Sequence, residues 1–164
     1  MTKPRASTSD VTLRDFRRED FDTLWQIDQA CFRPGIAYSQ EELAYYMTRR
    51  SAFTIVADGE GGIAGFLVAH RGRRRDGTLA GHIVTIDVLA NSRRTGLGSR
   101  LLQAAEERLR ESKCAVVSLE TAVDNAPAIS FYQRHGYHIV RTLPRYYNGE
   151  LDALRMEKQL ATSG

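Results

Sequence analysis

Arg93-Arg94-Thr95-Gly96-Leu97-Gly98 lies between an apolar run, His82 to Leu89, and the segment Ser99 to Glu111. In that segment Leu101, Leu102, Ala105 and Leu109 recur at helical spacing, with Glu106 and Arg110 paired at i, i+4 on the opposite face. A strand that passes through a glycine turn into an amphipathic helix aims backbone N–H groups and the positive helix end at one point, which is an anion site. Glycines at 96 and 98 permit positive φ and close approach of a ligand to the backbone, while the two arginines add charge-assisted donors. A turn this short serves equally well as a plain structural connection, and it is neither common nucleotide fingerprint. It lacks the three glycines of a dinucleotide fold and the Gly-Lys-Ser/Thr of a P-loop.

Outward from this turn the chain alternates short elements. Upstream, Val11 to Phe16 alternates apolar and polar residues as a strand, and Glu19 to Cys31 sets Phe21, Leu24, Trp25 and Ile27 on one helical face. After the loop Phe32 to Tyr38, Ser39 and Glu42 form a capping box ahead of a short helix ending near Arg50. Ala52 to Ala57 and Ile63 to His70 flank the Gly-rich turn Asp58 to Gly62 and read as a hairpin, followed by a loop at Arg71 to Gly77. Downstream come a strand at Cys114 to Thr121, a helix at Ala126 to His135, and strands at Tyr137 to Leu143 and Leu151 to Gln159. Antiparallel strands followed by helical crossovers imply an α/β (α+β) fold, a mixed and mostly antiparallel sheet of about seven strands with helices on both faces.

The whole chain, 164 residues with 42% hydrophobic and 26% charged, has the size of a single domain, 1–164, with 1–10 and 160–164 expected to be flexible. Two cysteines make no disulfide framework, no apolar run approaches the ~20 residues of a bilayer span, and residues 1–10 lack the apolar core of a secretory signal. The expectation is a reduced, cytoplasmic protein with no membrane partner. A net charge of +3 is compatible with an anionic ligand and too small to argue nucleic acid. No metal-ligand cluster stands out.

The turn resembles the pyrophosphate loop, Arg/Gln-x-x-Gly-x-Gly/Ala, of the GNAT superfamily of acyl-CoA-dependent N-acetyltransferases. The resemblance spans nearly the whole chain, because Leu119-Glu120-Thr121, Asn125, Ala128-Ile129-Ser130-Phe131-Tyr132 and Gly136-Tyr137 follow in family order. Within the superfamily the sequence is most similar to the N-terminal amine acetyltransferases, the group that includes the ribosomal-protein-alanine N-acetyltransferases. Tyr146-Tyr147-Asn148-Gly149-Glu150-Leu151-Asp152-Ala153 resembles their tyrosine-pair segment, with Leu151 as one inserted residue that leaves the register of the last hairpin open.

The resemblance implies a fold of GNAT type, acetyl-CoA as cofactor, and direct acetyl transfer to the α-amine of a protein or peptide N-terminus by a monomer or homodimer. It implies that Ile86, Asp87 and Val88 meet the cofactor through the strand backbone. Arg93, Arg94, Thr95, Gly96, Leu97, Gly98 and Ser99 would hold its pyrophosphate, and Asn125 its pantetheine arm. It makes Tyr132 the acid for the departing thiolate, a role that suits a phenol titrating near ~10.

The reaction needs a base, an oxyanion stabiliser and an acid. Glu120 projects from an apolar strand on the face opposite Val117 and Leu119, either as a solvated strand-end carboxylate or, as the resemblance favours, as a buried base with a raised pKa. His82 occupies the strand position where relatives carry a catalytic glutamate or a water-ordering tyrosine. It reads as a water relay or as a plain strand-end histidine, since four residues of strand, about 13 Å, separate it from Ile86. Asp87 either lines the substrate side or faces solvent. One of Asp124 and Asn125 caps the helix at Pro127, a role that suits Asp124.

Cys114 lies about 20 Å along the strand from Glu120, and Cys31 has no adjacent histidine, so direct transfer is preferred over an acetyl-cysteine. Phe32, Ile36 and Tyr38 of the first loop, with Tyr146 and Tyr147, are the expected substrate walls, although a tyrosine pair also serves as plain hairpin packing. The run at Arg71, Arg73, Arg74 and Arg75 reads most simply as a solvated loop. Two other functions share the cofactor motif: acetylation of lysine or small amines, and non-catalytic acyl-CoA sensing. The second would need neither Glu120 nor Tyr132.

Overall fold

The computed structural model describes residues 10–160. The element order is β1 (Thr12–Asp15), α1 (Phe21–Cys31), α2 (Gln40–Thr48), β2 (Phe53–Gly59), β3 (Gly62–Arg73), β4 (Leu79–Val88), α3 (Leu97–Glu111), β5 (Val116–Ala122), α4 (Ala126–Arg134), β6 (His138–Tyr147) and β7 (Leu151–Gln159). The strands form one sheet in the order β1-β2-β3-β4-β5-β7-β6; β1 with β2, β2 with β3, β5 with β7 and β7 with β6 pair antiparallel, and β4 with β5 pairs parallel. This is the mixed, mostly antiparallel seven-stranded sheet that the pattern predicts. The expected flexible ends lie outside the described residues except at Asp10 and Leu160, and Leu160 is buried with its N–H donating to Ala115 O at 2.9 Å.

The chain divides into two compact units, with boundaries at Ala69/His70, Val84/Thr85 and Ala105/Glu106. The first holds β1, β2, α1, α2, the bulk of β3, the end of β4 and the start of α3. Its apolar stripes are interred as the periodicity demands: Leu24 and Leu43 on the helices, Phe66, Leu67 and Val68 on β3, and Leu97, Leu101 and Leu102 on α3 are all about fully buried. Ser39 caps α2 with the reciprocal Glu42 bond predicted for it. Gly65 is required for a different reason. A Cβ there would lie 2.5 Å from the backbone oxygen of Asp87, so only a residue without one lets β3 lie this close to β4. Gly65→Ala is expected to destabilise the fold by about 1 to 3 kcal/mol, the usual range for overpacking, as a lowered thermal midpoint would show.

The second unit is built on β5. A parallel ladder with β4 runs Ala80↔Val116 to His82↔Ser118, and an antiparallel ladder with β7 runs the full length of β5. Leu109, Val117, Leu119, Ala153 and Met156 are among its buried apolar residues. Glu106 and Arg110 pair at 3.8 Å as their i, i+4 spacing predicts, but the structure corrects the face: Glu106 is buried, where Tyr137 Oη also donates to it at 2.7 Å and Lys158 Nζ at 2.9 Å. The inserted Leu151 pairs with Tyr147. Asn148 and Gly149 take positive φ in the intervening turn, which fixes the register that the sequence leaves open.

Candidate active site

Each unit carries some of the candidate residues, and different elements place them. In the first unit, β4 ends at Val88 and the chain turns through Arg93–Gly98 into α3. Arg94 and Gly96 take positive φ, and Thr95 Oγ1 donates to Ser92 O at 2.5 Å, which ties the turn down. Arg93, Arg94 and Gly96 are exposed, so a phosphate group can reach both the backbone and the guanidinium groups. Arg93 also donates through Nε to Val88 O at 2.9 Å. Nothing lies within 4 Å of a Cβ built on Gly96, so its requirement is torsional: φ is +84°. Gly96→Ala should cost about 1 to 2 kcal/mol of turn strain, read as a lowered thermal midpoint.

The alternation of β4 decides what its side chains meet. Gly81, Ile83, Thr85 and Asp87 are buried, whereas His82, Val84, Ile86 and Val88 are half-buried. Asp87 therefore neither faces solvent nor offers its carboxylate to a ligand. It is fully buried, and burial together with the nearby Asp28 carboxyl pushes it well above the usual carboxylate range. Cys31 donates its thiol to Val88 O at 3.5 Å, and burial raises its pKa; burial does the same for Cys114. Neither thiol is activated, which agrees with direct transfer.

In the second unit the catalytic candidates meet on β4, β5 and β7. Glu120 keeps only 7% of its side-chain exposure, so it is not a solvated strand end. Its Oε2 lies 2.5 Å from His82 Nε2, and its Oε1 accepts from Arg155 Nη2 at 2.7 Å and Nε at 3.2 Å. The ladder explains the second contact, since Glu120 and Arg155 are direct cross-strand partners. The expected raised pKa is corrected. Burial pushes the carboxyl up, but the bonds and charges of His82 and Arg155 outweigh it and hold Glu120 below its ordinary value. With Nε2 turned to Glu120, His82 presents Nδ1 to His70 Nε2 at 3.3 Å, so a chain of titratable groups runs from Glu120 through His82 to His70.

Tyr132 on α4 is half-buried and packs edge-on to Tyr137 with ring centroids 5.7 Å apart. Tyr147 is held well above the ordinary phenol range by burial first and then by Tyr146, Glu120 and Tyr132, which puts it beside the catalytic candidates rather than in hairpin packing alone. The cap of α4 is Asn125, not Asp124: its Oδ1 accepts from Ala128 N–H at 3.2 Å.

The first-unit loop leaves Phe32, Ile36 and Tyr38 half-buried, with Ile36 and Ala37 N–H both donating to Arg33 O. Arg74 pairs with Glu157 at 2.6 Å, and Arg73 donates to Gly77 O, so the arginine run is partly engaged within its own unit. Arg155, His70 and Asp28 are functional candidates that the sequence pattern alone does not single out. No group of His, Cys, Asp and Glu able to hold a metal occurs among the described residues.

A mixed seven-stranded sheet in which a strand passes through an Arg-rich glycine turn into a helix, with a buried glutamate on the next strand, is the arrangement that the resemblance to acyl-CoA-using transferases implies. The chain belongs to the acetyltransferase (GNAT) family, which it matches over residues 21–137. It is 32% identical over 158 residues to an N-alpha-acetyltransferase of Sulfurisphaera tokodaii, covering 90% of this chain and 92% of that one. Among solved structures it is similar to Ard1 from Thermoplasma volcanium, with TM-score 0.80 and 27% identity over 93% of this chain and 99% of that one. The ribosomal-protein-S18-alanine N-acetyltransferase from Escherichia coli shares the fold, with TM-score 0.79 and 22% identity over 94% and 96%.

Proposed function

We propose that this acyltransferase moves an acetyl group from acetyl-CoA directly to the α-amine of a protein or peptide N-terminus. The observation that carries the reading is the buried Glu120 carboxylate, bonded on one oxygen to His82 and on the other to Arg155. A carboxylate so held costs free energy to desolvate, and a proton-accepting role accounts for its retention better than packing does. The α-amine preference draws support from the N-alpha-acetyltransferase relative, aligned over 90% of this chain, and from the aromatic side chains Tyr146 and Tyr147, which suit a peptide end.

Acetyl-CoA supplies the activated thioester. Arg93, Arg94 and the N–H groups of the turn through Ser99 bind its pyrophosphate, and the backbone of Ile86 to Val88 aligns its arm. Asn125, whose Oδ1 is committed to the helix cap, is left to act through its amide group. Glu120 takes the amine proton, and His82, whose Nε2 lies against Glu120 Oε2, orients that carboxylate. Tyr132 gives a proton to the departing sulfur. Phe32, Ile36 and Tyr38 in the first unit, and Tyr146 and Tyr147 in the second, are the residues we assign to acceptor binding. Two free cysteines suit a reducing compartment such as the cytoplasm, and no helix among the described residues is long and apolar enough to cross a membrane.

Thiol release from acetyl-CoA with peptides of differing first residue, compared with polyamines and aminoglycosides, tests this reading. Turnover confined to one peptide class supports it; turnover confined to small amines overturns the substrate and leaves the family intact.

A further inference from the structure

Within the first unit, two carboxyl groups are shielded from water and each lacks one donor. Asp28 on α1 and Asp87 on β4 are both fully buried. Asp28 Oδ2 accepts from Tyr38 N–H at 2.7 Å, and Asp87 Oδ1 accepts from the Thr85 hydroxyl. The remaining oxygen of each, Asp28 Oδ1 and Asp87 Oδ2, has no donor. Two buried carboxylates in this arrangement would repel and leave both oxygens uncompensated, a cost that native interiors avoid. One proton between them removes both defects. The other groups that face them are Arg93, which favours the ionised form of Asp87, and Cys31, whose thiol is directed to Val88 O.

The pair is connected to the first loop. Tyr38 N–H rests on Asp28, while Tyr38 O accepts from Trp25 Nε1 at 3.1 Å and Gln29 Nε2 at 2.6 Å, so α1 grips both backbone groups of this residue. We propose that Asp28 and Asp87 share one proton, and that the acid pair so formed anchors the loop at residues 32–38, making Asp28 a positioning residue for the acceptor substrate. The last clause rests on the reading of that loop as a substrate wall.

The sign of the pH effect follows. The folded chain keeps on Asp87 a proton that the unfolded chain loses above about pH 4, so the pair's contribution to stability falls as pH rises from there toward the folded value. Past that value two carboxylates face each other, and Asp28 is pushed from the Tyr38 N–H.

Trp25 is the sole tryptophan, and its indole N–H bonds the same Tyr38, so its emission reports the anchor. The infrared spectrum of the full chain at pH 7 is expected to contain the carbonyl stretch of a protonated carboxylic acid. Asp87→Asn should abolish that band while keeping wild-type Trp25 emission, because its amide still donates to Asp28. Asp28→Ala should shift the emission and raise the peptide KM about tenfold while lowering kcat less, the pattern of lost positioning. Asp28→Asn, which retains an acceptor for Tyr38 N–H, should recover most of that loss and serves in place of Asp28→Ala if the alanine variant does not fold, its own marker being loss of the band. Absence of the band at pH 7, or its persistence in Asp87→Asn, overturns the shared proton. Wild-type emission in folded Asp28→Ala overturns the anchor. If the band and the emission behave as expected but no peptide is acetylated, the pair stands and the α-amine reading fails.

Discussion

Glu120→Gln lowers turnover by roughly 10²- to 10⁴-fold at neutral pH, the span expected when a positioned base is removed, while coenzyme affinity stays within about threefold of wild type. The amide keeps the shape of the side chain and an oxygen for Arg155, so the fold has no reason to collapse. What is lost is the negative oxygen that lies 2.5 Å from His82 Nε2 and that we propose receives the amine proton. Stopped assays of thiol release, with calorimetry for the coenzyme, separate these effects. Turnover within about threefold of wild type would remove Glu120 from the reaction.

The same substitution has a signature in stability. Because His82 and Arg155 hold the Glu120 carboxyl below its ordinary value of 4.5, the unfolded chain binds more protons than the folded one in the window beneath that value. Stability from this group is present above about pH 4.5 and is lost as pH falls through the folded value. Glu120→Gln should therefore flatten the acid limb of the stability curve.

Tyr132→Phe is expected to cut turnover about a hundredfold with acetyl-CoA, again with coenzyme binding retained, because the departing thiolate loses the proton donor we propose for it. The ring contacts with Phe131 and Tyr137, at 5.3 and 5.7 Å, survive the change. A more specific result distinguishes an acid from a packing residue. An acetyl thioester of an acidic aromatic thiol, whose thiolate leaves without a proton, should rescue Tyr132→Phe and leave Glu120→Gln impaired. Equal rescue of both variants would contradict the division of roles.

The strands, the helices and the glycine turn are legible in the sequence because each rests on local rules. The stripe Leu101, Leu102, Ala105 and Leu109 is fully buried, and the Ser39–Glu42 box caps its helix, as the spacing requires. The candidate site is legible only as single residues. Glu120 is visible, but the guanidinium that lowers its pKa comes from Arg155, and nothing local in either strand announces that β5 and β7 pair in that register. The same blindness explains Asp87: a carboxylate among Ile86, Val88 and Leu89 looks misplaced until Asp28, brought in by another element, supplies the other half of its environment. Glu106 looks like a surface partner of Arg110 because helical spacing reports which residues share a face and not what tertiary neighbour covers it. The helix starts at Ala126, where the sequence places it, so the residue just before it, Asn125, takes the cap expected of Asp124.

The central claim is transfer to an α-amine, and a peptide that offers both a free N-terminus and an internal lysine tests it directly. After incubation with acetyl-CoA and the wild-type chain, fragmentation by mass spectrometry locates the added acetyl group. The account predicts acetyl on the terminal nitrogen, with the lysine unmodified and the product absent with Glu120→Gln. Acetyl on the lysine side chain, with a free N-terminus, would contradict it.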